Sequence, residues 1–140
     1  MTAPGAEVNA AEAVRASPRR ARALYAAGAA SFAGAGVGLV AVRDTSLVVL
    51  LIFAVLPDVA IVRGLGRNLA PGQLHPRAVP LYNALHRFAI PGVIAAVGVF
   101  AGPAWVTAAV GWAFHICFDR AVGLGLRTPS GFVRNQELTR

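Results

Sequence analysis

The chain has 140 residues, with 13 arginines, no lysine and 6 acids, for a formal net charge of +7; 56% of it is hydrophobic and only 14% is charged. Soluble domains average about 25% charged residues, so this balance excludes an ordinary soluble domain, and the apolar content excludes a disordered chain. A single cysteine excludes an internal disulfide and any Cys-x-x-Cys metal site, and without a heptad pattern what remains is an all-α polytopic membrane protein.

Residues 1–22 form a polar, small-residue tail interrupted by Pro4, Gly5 and Pro18 and are expected to be disordered or to lie on the membrane surface. Arg15, Arg19, Arg20 and Arg22 crowd in front of the first apolar run, where a topology signal belongs. No aromatic-basic stacking pattern accompanies them, so the basic charge does not point to nucleic acid. The apolar run is longer than the roughly 7–15-residue core of a cleavable signal and is read as a retained span over residues 23–42. Ala30, Gly34 and Gly38 share a face of it at spacing four; such small-residue faces let helices approach closely, within the bundle or, alternatively, in a homodimer.

A polar turn at Arg43-Asp44-Thr45 leads to a second span, 46–62, containing Pro57-Asp58. The connector 63–79 carries Gly64, Gly66, Pro71, Gly72, Pro76 and three arginines; His75 in it is expected to be solvated. From Phe88 to Phe118 no charged residue occurs, a stretch of 31 residues. One span needs roughly 20 residues and two need about 40. Gly102-Pro103 breaks the stretch, and proline is a poor helix-interior residue. Two spans fit if they extend into their polar flanks, over 80–101 and 104–122, leaving 124–140 as a C-terminal tail.

Four spans agree with the loop charges. With the N-terminus inside, Arg15, Arg19, Arg20, Arg22, Arg63, Arg67, Arg77, Arg127, Arg134 and Arg140 are all cytoplasmic, and the outer loops carry only Arg43 beside Asp44. This satisfies the positive-inside rule. The expected architecture is therefore a four-helix transmembrane bundle (membrane domain 23–123) with both termini cytoplasmic. The arginine- and alanine-rich usage suits a GC-rich bacterial genome, so the expected location is a bacterial inner membrane.

This topology brings polar residues to one depth. Asp58 and His115 each lie roughly 7–8 Å from an inner helix end, and His86 roughly 10 Å. Ionisable groups inside a span cost at least about 2.5 kcal/mol each on insertion scales and face the bundle interior. His115 and Asp119 share a helix face at i,i+4, as do Tyr82 and His86; Asn83 and His86 are i,i+3. Asp58, Tyr82, Asn83, His86, Arg87, His115, Asp119 and Arg120 thus make one candidate polar site. Asp58, His86, His115 and Asp119 offer the nitrogen and oxygen donors that a divalent metal such as zinc accepts. The competing reading is a buried network with Asp119 against Arg87 and Asp58 against His86, which holds the bundle together.

Pro57-Asp58, Tyr82-Asn83-Ala84-Leu85-His86 with Pro91, and Trp112-x-x-His115-x-x-x-Asp119-Arg120-x-x-Gly123-x-Gly125 followed by Gly131-Phe132 resemble an uncharacterised bacterial membrane-protein family, domain of unknown function 4260. The resemblance covers roughly residues 24–135 and implies four spans without an assigned activity. More distantly the chain resembles inner-membrane proteins named as metal-dependent hydrolases, which implies Asp58, His86, His115 and Asp119 as ligands. Family members tend to end in a Thr-His-Leu-Gly-like run after Gly-Phe; here Val-Arg-Asn-Gln-Glu-Leu-Thr-Arg follows, with Glu137 the one potential replacement ligand.

Three functions compete. The first is a non-catalytic membrane protein whose polar layer is structural. The second is a metal-dependent hydrolase at the inner leaflet, with Arg87 and Arg120 binding an anionic lipid or phosphate. The third is a small transporter or proton-linked channel, against which the nearly apolar outer halves of the spans argue.

Overall fold

The computed structural model describes residues 18–66 and 68–134. The expectations for the N-terminal tail up to residue 17, with Arg15, and for Arg67, Glu137 and Arg140 lie outside the described residues. The fold is all-helical: α1 (Pro18–Arg43), α2 (Leu47–Val55), α3 (Val59–Arg63), α4 (Val79–Leu85), α5 (Ala89–Ala101) and α6 (Pro103–Ala121). Among the described residues there is no strand, only an isolated bridge between Arg127 and Val133.

The central helix is α6. It packs against α1, α2 and α5 and buries Thr107, Ala108, Ala109, Gly111, Trp112, Ala113, His115, Ile116, Cys117 and Asp119, which leaves little of it outward. The three helices around it turn large apolar side chains out: Val37 and Val42 on α1, Val48, Leu51 and Ile52 on α2, Val93, Val99 and Phe100 on α5. An exposed apolar surface of this breadth marks contact with lipid or another protein. Two helices, Arg19–Arg43 and Pro76–Ala101 taken through its kink, are long and apolar enough to cross a membrane.

Two prolines interrupt the helical runs expected to be continuous. Pro57 lies in a 3-10 turn, Leu56–Asp58, between α2 and α3. Proline lacks an N–H and its ring collides with the carbonyl four residues back, so α2 ends at Val55 and Asp58 starts a new segment. Pro91 does the same in the third run. It sits in the first turn of α5, where a missing N–H costs nothing, but a helix continued through it would drive its ring into the carbonyl of Arg87. Hence α4 stops at Leu85, the chain bends through His86-Arg87-Phe88, and α5 begins at Ala89.

Close approach of α2 and α6 depends on Gly111. A Cβ there would stand 2.5 Å from the Leu50 carbonyl oxygen and 3.2 Å from the Ala54 nitrogen, so only glycine permits this crossing. On α1 the small residues that face α6 and α2 are Gly28, against the Cys117 sulfur, and Gly36, against Leu50. Among the described residues nothing packs against the Gly34 and Gly38 positions of the Ala30/Gly34/Gly38 stripe: no atom lies within 4 Å of a Cβ built at either.

The segment expected to be a C-terminal tail is folded as far as Arg134. Helix α6 ends in a paired motif: the amide of Gly123 (φ +91°) donates to the Arg120 carbonyl and that of Leu124 to the Asp119 carbonyl, the Schellman arrangement that glycine's left-handed φ allows. A short hairpin then closes with Thr128 donating to Phe132 and Arg134 to Leu126. It docks on the connector, where the Leu74 amide donates to the Gly131 carbonyl and the Gln73 side-chain amide to the Ser130 carbonyl. Beneath it Ala60, Leu74, Ala78, Val79 and Tyr82 form a buried apolar cluster.

Candidate metal centre

The helix breaks place the polar side chains. Asp58 projects from the 3-10 turn behind Pro57, His86 caps α4 at the bend, and His115 and Asp119 lie one turn apart on α6. One ligand atom from each of the four falls within 4.8 Å of the others. His86 Nε2 is 3.2 Å from His115 Nε2, 3.5 Å from Asp58 Oδ1 and 3.4 Å from Asp119 Oδ2. His115 Nε2 is 3.5 Å from Asp58 Oδ1 and 3.7 Å from Asp119 Oδ2. Both imidazoles and Asp119 are buried, whereas the Asp58 side chain is 40% exposed.

The backbone fixes which ring nitrogen carries the proton. His86 Nδ1 lies 2.8 Å from the Tyr82 carbonyl oxygen, and His115 Nδ1 lies 2.8 Å from the Ala54 carbonyl oxygen. A carbonyl only accepts, so each Nδ1 must be the donor. Ala54 is in the last turn of α2, where carbonyls have lost their helical partners, and the imidazole fills that vacancy across the Gly111 contact. In neutral imidazoles both Nε2 atoms are then bare acceptors. They face each other and two carboxylates: four acceptors converging on one point.

Distances decide what that point suits. Charge-assisted N–H···O bonds run about 2.7–2.9 Å, so 3.4–3.7 Å is too long for a network of imidazolium–carboxylate bonds. A tetrahedral ion with arms of about 2.0–2.1 Å separates its ligands by ~3.3 Å, close to the spacings found. The carbonyl bonds on Nδ1 are also the usual outer support of a metal-bound histidine. The residues present can therefore hold a zinc-type ion.

The other expected residues divide. Tyr82 joins the cluster: its ring stacks on His86 with centroids 3.8 Å apart, and its hydroxyl donates to Asp119 Oδ2 at 3.4 Å. Asn83 does not join it. Its amide binds the Arg127 backbone in both directions, Nδ2 to the carbonyl at 2.9 Å and Oδ1 from the amide at 2.8 Å, because i+1 from Tyr82 faces the C-terminal hairpin instead. Arg87 is exposed at the bend and makes no ion pair with Asp119. Among the described residues no arginine pairs with either aspartate, so of the competing network the Asp119–Arg87 pair is not found, whereas Asp58 does approach His86. Arg120 turns away from its neighbour Asp119, donates to the Tyr25 hydroxyl at 2.8 Å and the His86 carbonyl at 3.4 Å, and lies over the Tyr25 and Phe88 rings.

Several residues around the site escaped the sequence reading. Arg127, counted there only as a cytoplasmic charge, stacks on Tyr82 and donates to the carbonyls of Gly72 and Gly131; the Asn83 spacing alone gives no hint of it. Trp112 Nε1 donates to the Leu85 carbonyl at 2.8 Å, pinning the bend to α6. His75 accepts from the Arg77 amide and caps the 3-10 turn Pro76–Ala78 rather than standing free.

Fold and centre together define an all-helical protein with helices apolar enough for a membrane and a buried His/Asp cluster at one end of the bundle. The chain belongs to the family described as Domain of unknown function (DUF4260), which it matches over residues 23–138. No curated protein and no solved structure matches it.

Proposed function

We propose that this is a four-span inner-membrane protein with cytoplasmic termini that binds one divalent metal ion of the zinc type through Asp58, His86, His115 and Asp119. The observation that carries this reading is the pair of Nδ1–carbonyl bonds, which leaves two Nε2 lone pairs 3.2 Å apart and opposed to two carboxylates. Such a set is repulsive until a cation occupies its centre. The membrane part rests on the outward apolar faces and on the positive-inside distribution of arginine.

A hydrolytic role follows from one asymmetry. Structural zinc sites are closed, whereas catalytic sites keep one position open. Here three ligands are buried and Asp58 is 40% exposed, so Asp58 marks the side on which water and substrate reach the ion. A bound ion would supply activation of water, with the water entering as an additional ligand on the Asp58 side. Transport fits less well. Between the Thr45/Thr107 hydroxyl pair and His115, α6 buries Ala108, Ala109, Gly111, Trp112 and Ala113, and these offer no polar relay.

Elemental analysis of purified protein tests the metal. Wild type should carry about one divalent ion per chain, and His115→Ala and Asp119→Asn should each lose it while staying in the membrane fraction. Wild type without stoichiometric metal, or both variants retaining it, refutes the reading. A reporter active only in the cytoplasm, fused after residue 140, should give signal; a purely periplasmic signal means an odd number of spans.

A further inference from the structure

Helices α1 and α5 both pack on α6 and leave a groove between them, with Phe32 on one wall, Phe88, Gly92 and Ala95 on the other, and Ala109 and Ala113 on the floor. Its volume is ≈ 260 Å³, below the roughly 300–1,000 Å³ of sites for compact drug-sized ligands and suited to a slim chain. The lining is apolar along its length and changes at the end nearest the metal cluster. There Arg120 crosses the gap: it holds Tyr25 of α1 by a hydrogen bond, and its guanidinium lies 5.0 Å from the centroid of the Phe88 ring, which itself lines the groove. Of its five N–H donors, two are engaged, with Tyr25 and the His86 carbonyl. Among the described residues no further acceptor and no carboxylate pairs with the remaining donors. A planar cation with free donors at the foot of an apolar slot is complementary to an anionic head on a hydrocarbon chain.

We propose that this groove holds an acyl chain of an anionic glycerophospholipid from the inner leaflet, with the lipid phosphate on Arg120. The inference rests on the membrane-spanning metalloprotein reading above and gives its centre a substrate class: Arg120 follows Asp119 directly and touches the His86 carbonyl, so a phosphate bound there lies beside the ion. Arg120 is a binding residue in this scheme. The exposed Gly92, on the groove wall, provides the way to block the chain: a Cβ built there meets nothing within 4 Å, so a leucine side chain can start from open space.

The test is native mass spectrometry of the delipidated, detergent-purified full chain titrated with phosphatidylglycerol or phosphatidylcholine of identical acyl chains. Metal content is measured on the same preparations. Wild type should retain one phosphatidylglycerol with at least a tenfold preference over phosphatidylcholine, whose choline brings a second positive charge to Arg120. Gly92→Leu, with Ala95→Leu as a second plug, should cut retention at least tenfold with metal content unchanged. Arg120→Gln should bring the two lipids within about twofold of each other, and Arg120→Lys should restore part of the preference, since lysine keeps the charge but not the planar fork. Equal retention of both lipids by wild type, or wild-type retention in both plugged variants, overturns the proposal. So does full displacement of the lipid by inorganic phosphate alone, which would make Arg120 a site for the free anion. Loss of the lipid effects with metal present refutes only the groove; lipid effects without metal refute only the metal centre.

Discussion

The two ends of the bundle solve the same helix-packing problem in opposite ways. At the Gly102-Pro103 end the chain reverses tightly, α5 and α6 run unbroken on either side, and the buried polar content is a Thr45/Thr107 hydroxyl pair 3.0 Å apart. At the other end both flanking helices are broken, at Pro57 and before Pro91, and side chains reach backbone carbonyls there: His115 that of Ala54 and Trp112 that of Leu85, while His86 Nδ1 shares the Tyr82 carbonyl with its own backbone amide. In an apolar surrounding, freed carbonyls must find partners inside the protein. The difference teaches that the breaks position the site. Carbonyls beside the breaks, those of Ala54 and Tyr82, orient the two imidazoles and thereby commit their Nε2 lone pairs to a single point.

The comparison can be broken at its tightest contact. Gly111→Val puts a branched side chain where even a Cβ meets the Leu50 carbonyl. It should cost about 3 kcal/mol, the upper part of the over-packing range, and separate His115 from Ala54. Thermal unfolding in detergent should show the loss, and the surviving folded fraction should bind metal weakly. An unchanged melting temperature would mean that α2 does not lie against α6 as described.

A smaller effect is expected where the hairpin closes over the broken end. Asn83→Ala removes two hydrogen bonds to the Arg127 backbone, each worth about 1 kcal/mol net. Amide exchange over residues 124–134 should accelerate by roughly the corresponding factor of ten or more, while metal stays bound because Asn83 touches none of the four ligands. Loss of metal in this variant would move Asn83 back into the centre. The smallest effect belongs to the unbroken end: Thr107→Val should cost about 0.6 kcal/mol, typical of an interhelical hydroxyl bond in a membrane protein, and should leave metal content untouched. A cost several times larger would show that the apolar end also depends on a polar lock.

What the sequence made legible follows the same division. Apolar runs and arginine placement announce four helical stretches, since length and charge asymmetry are properties of the chain alone. The i,i+4 pair His115/Asp119 and the depths of Asp58 and His86 suffice to gather the four ligand candidates, because helical rise converts position into height. Tertiary partners were less accessible. That Asn83 turns to a hairpin 44 residues away, that Arg120 serves Tyr25 and not Asp119, and that Arg127 lies on Tyr82 all depend on the kink angle before Pro91 and on how residues 124–134 fold back. Spacing along one helix says nothing about either. The stripe Ala30/Gly34/Gly38 shows the same limit: periodicity finds a small-residue face, but the face that meets α6 is the neighbouring one, through Gly28.

The central claim, one ion held by two imidazoles and two carboxylates, is tested most directly by X-ray absorption at the metal edge of purified, zinc-loaded full-length protein. The account predicts a shell of four nitrogen and oxygen neighbours at about 2.0–2.2 Å, with the outer-shell signature of two imidazoles, reduced to one imidazole in His86→Ala. A six-oxygen shell without imidazole scattering, or a spectrum unchanged in His86→Ala, would contradict it.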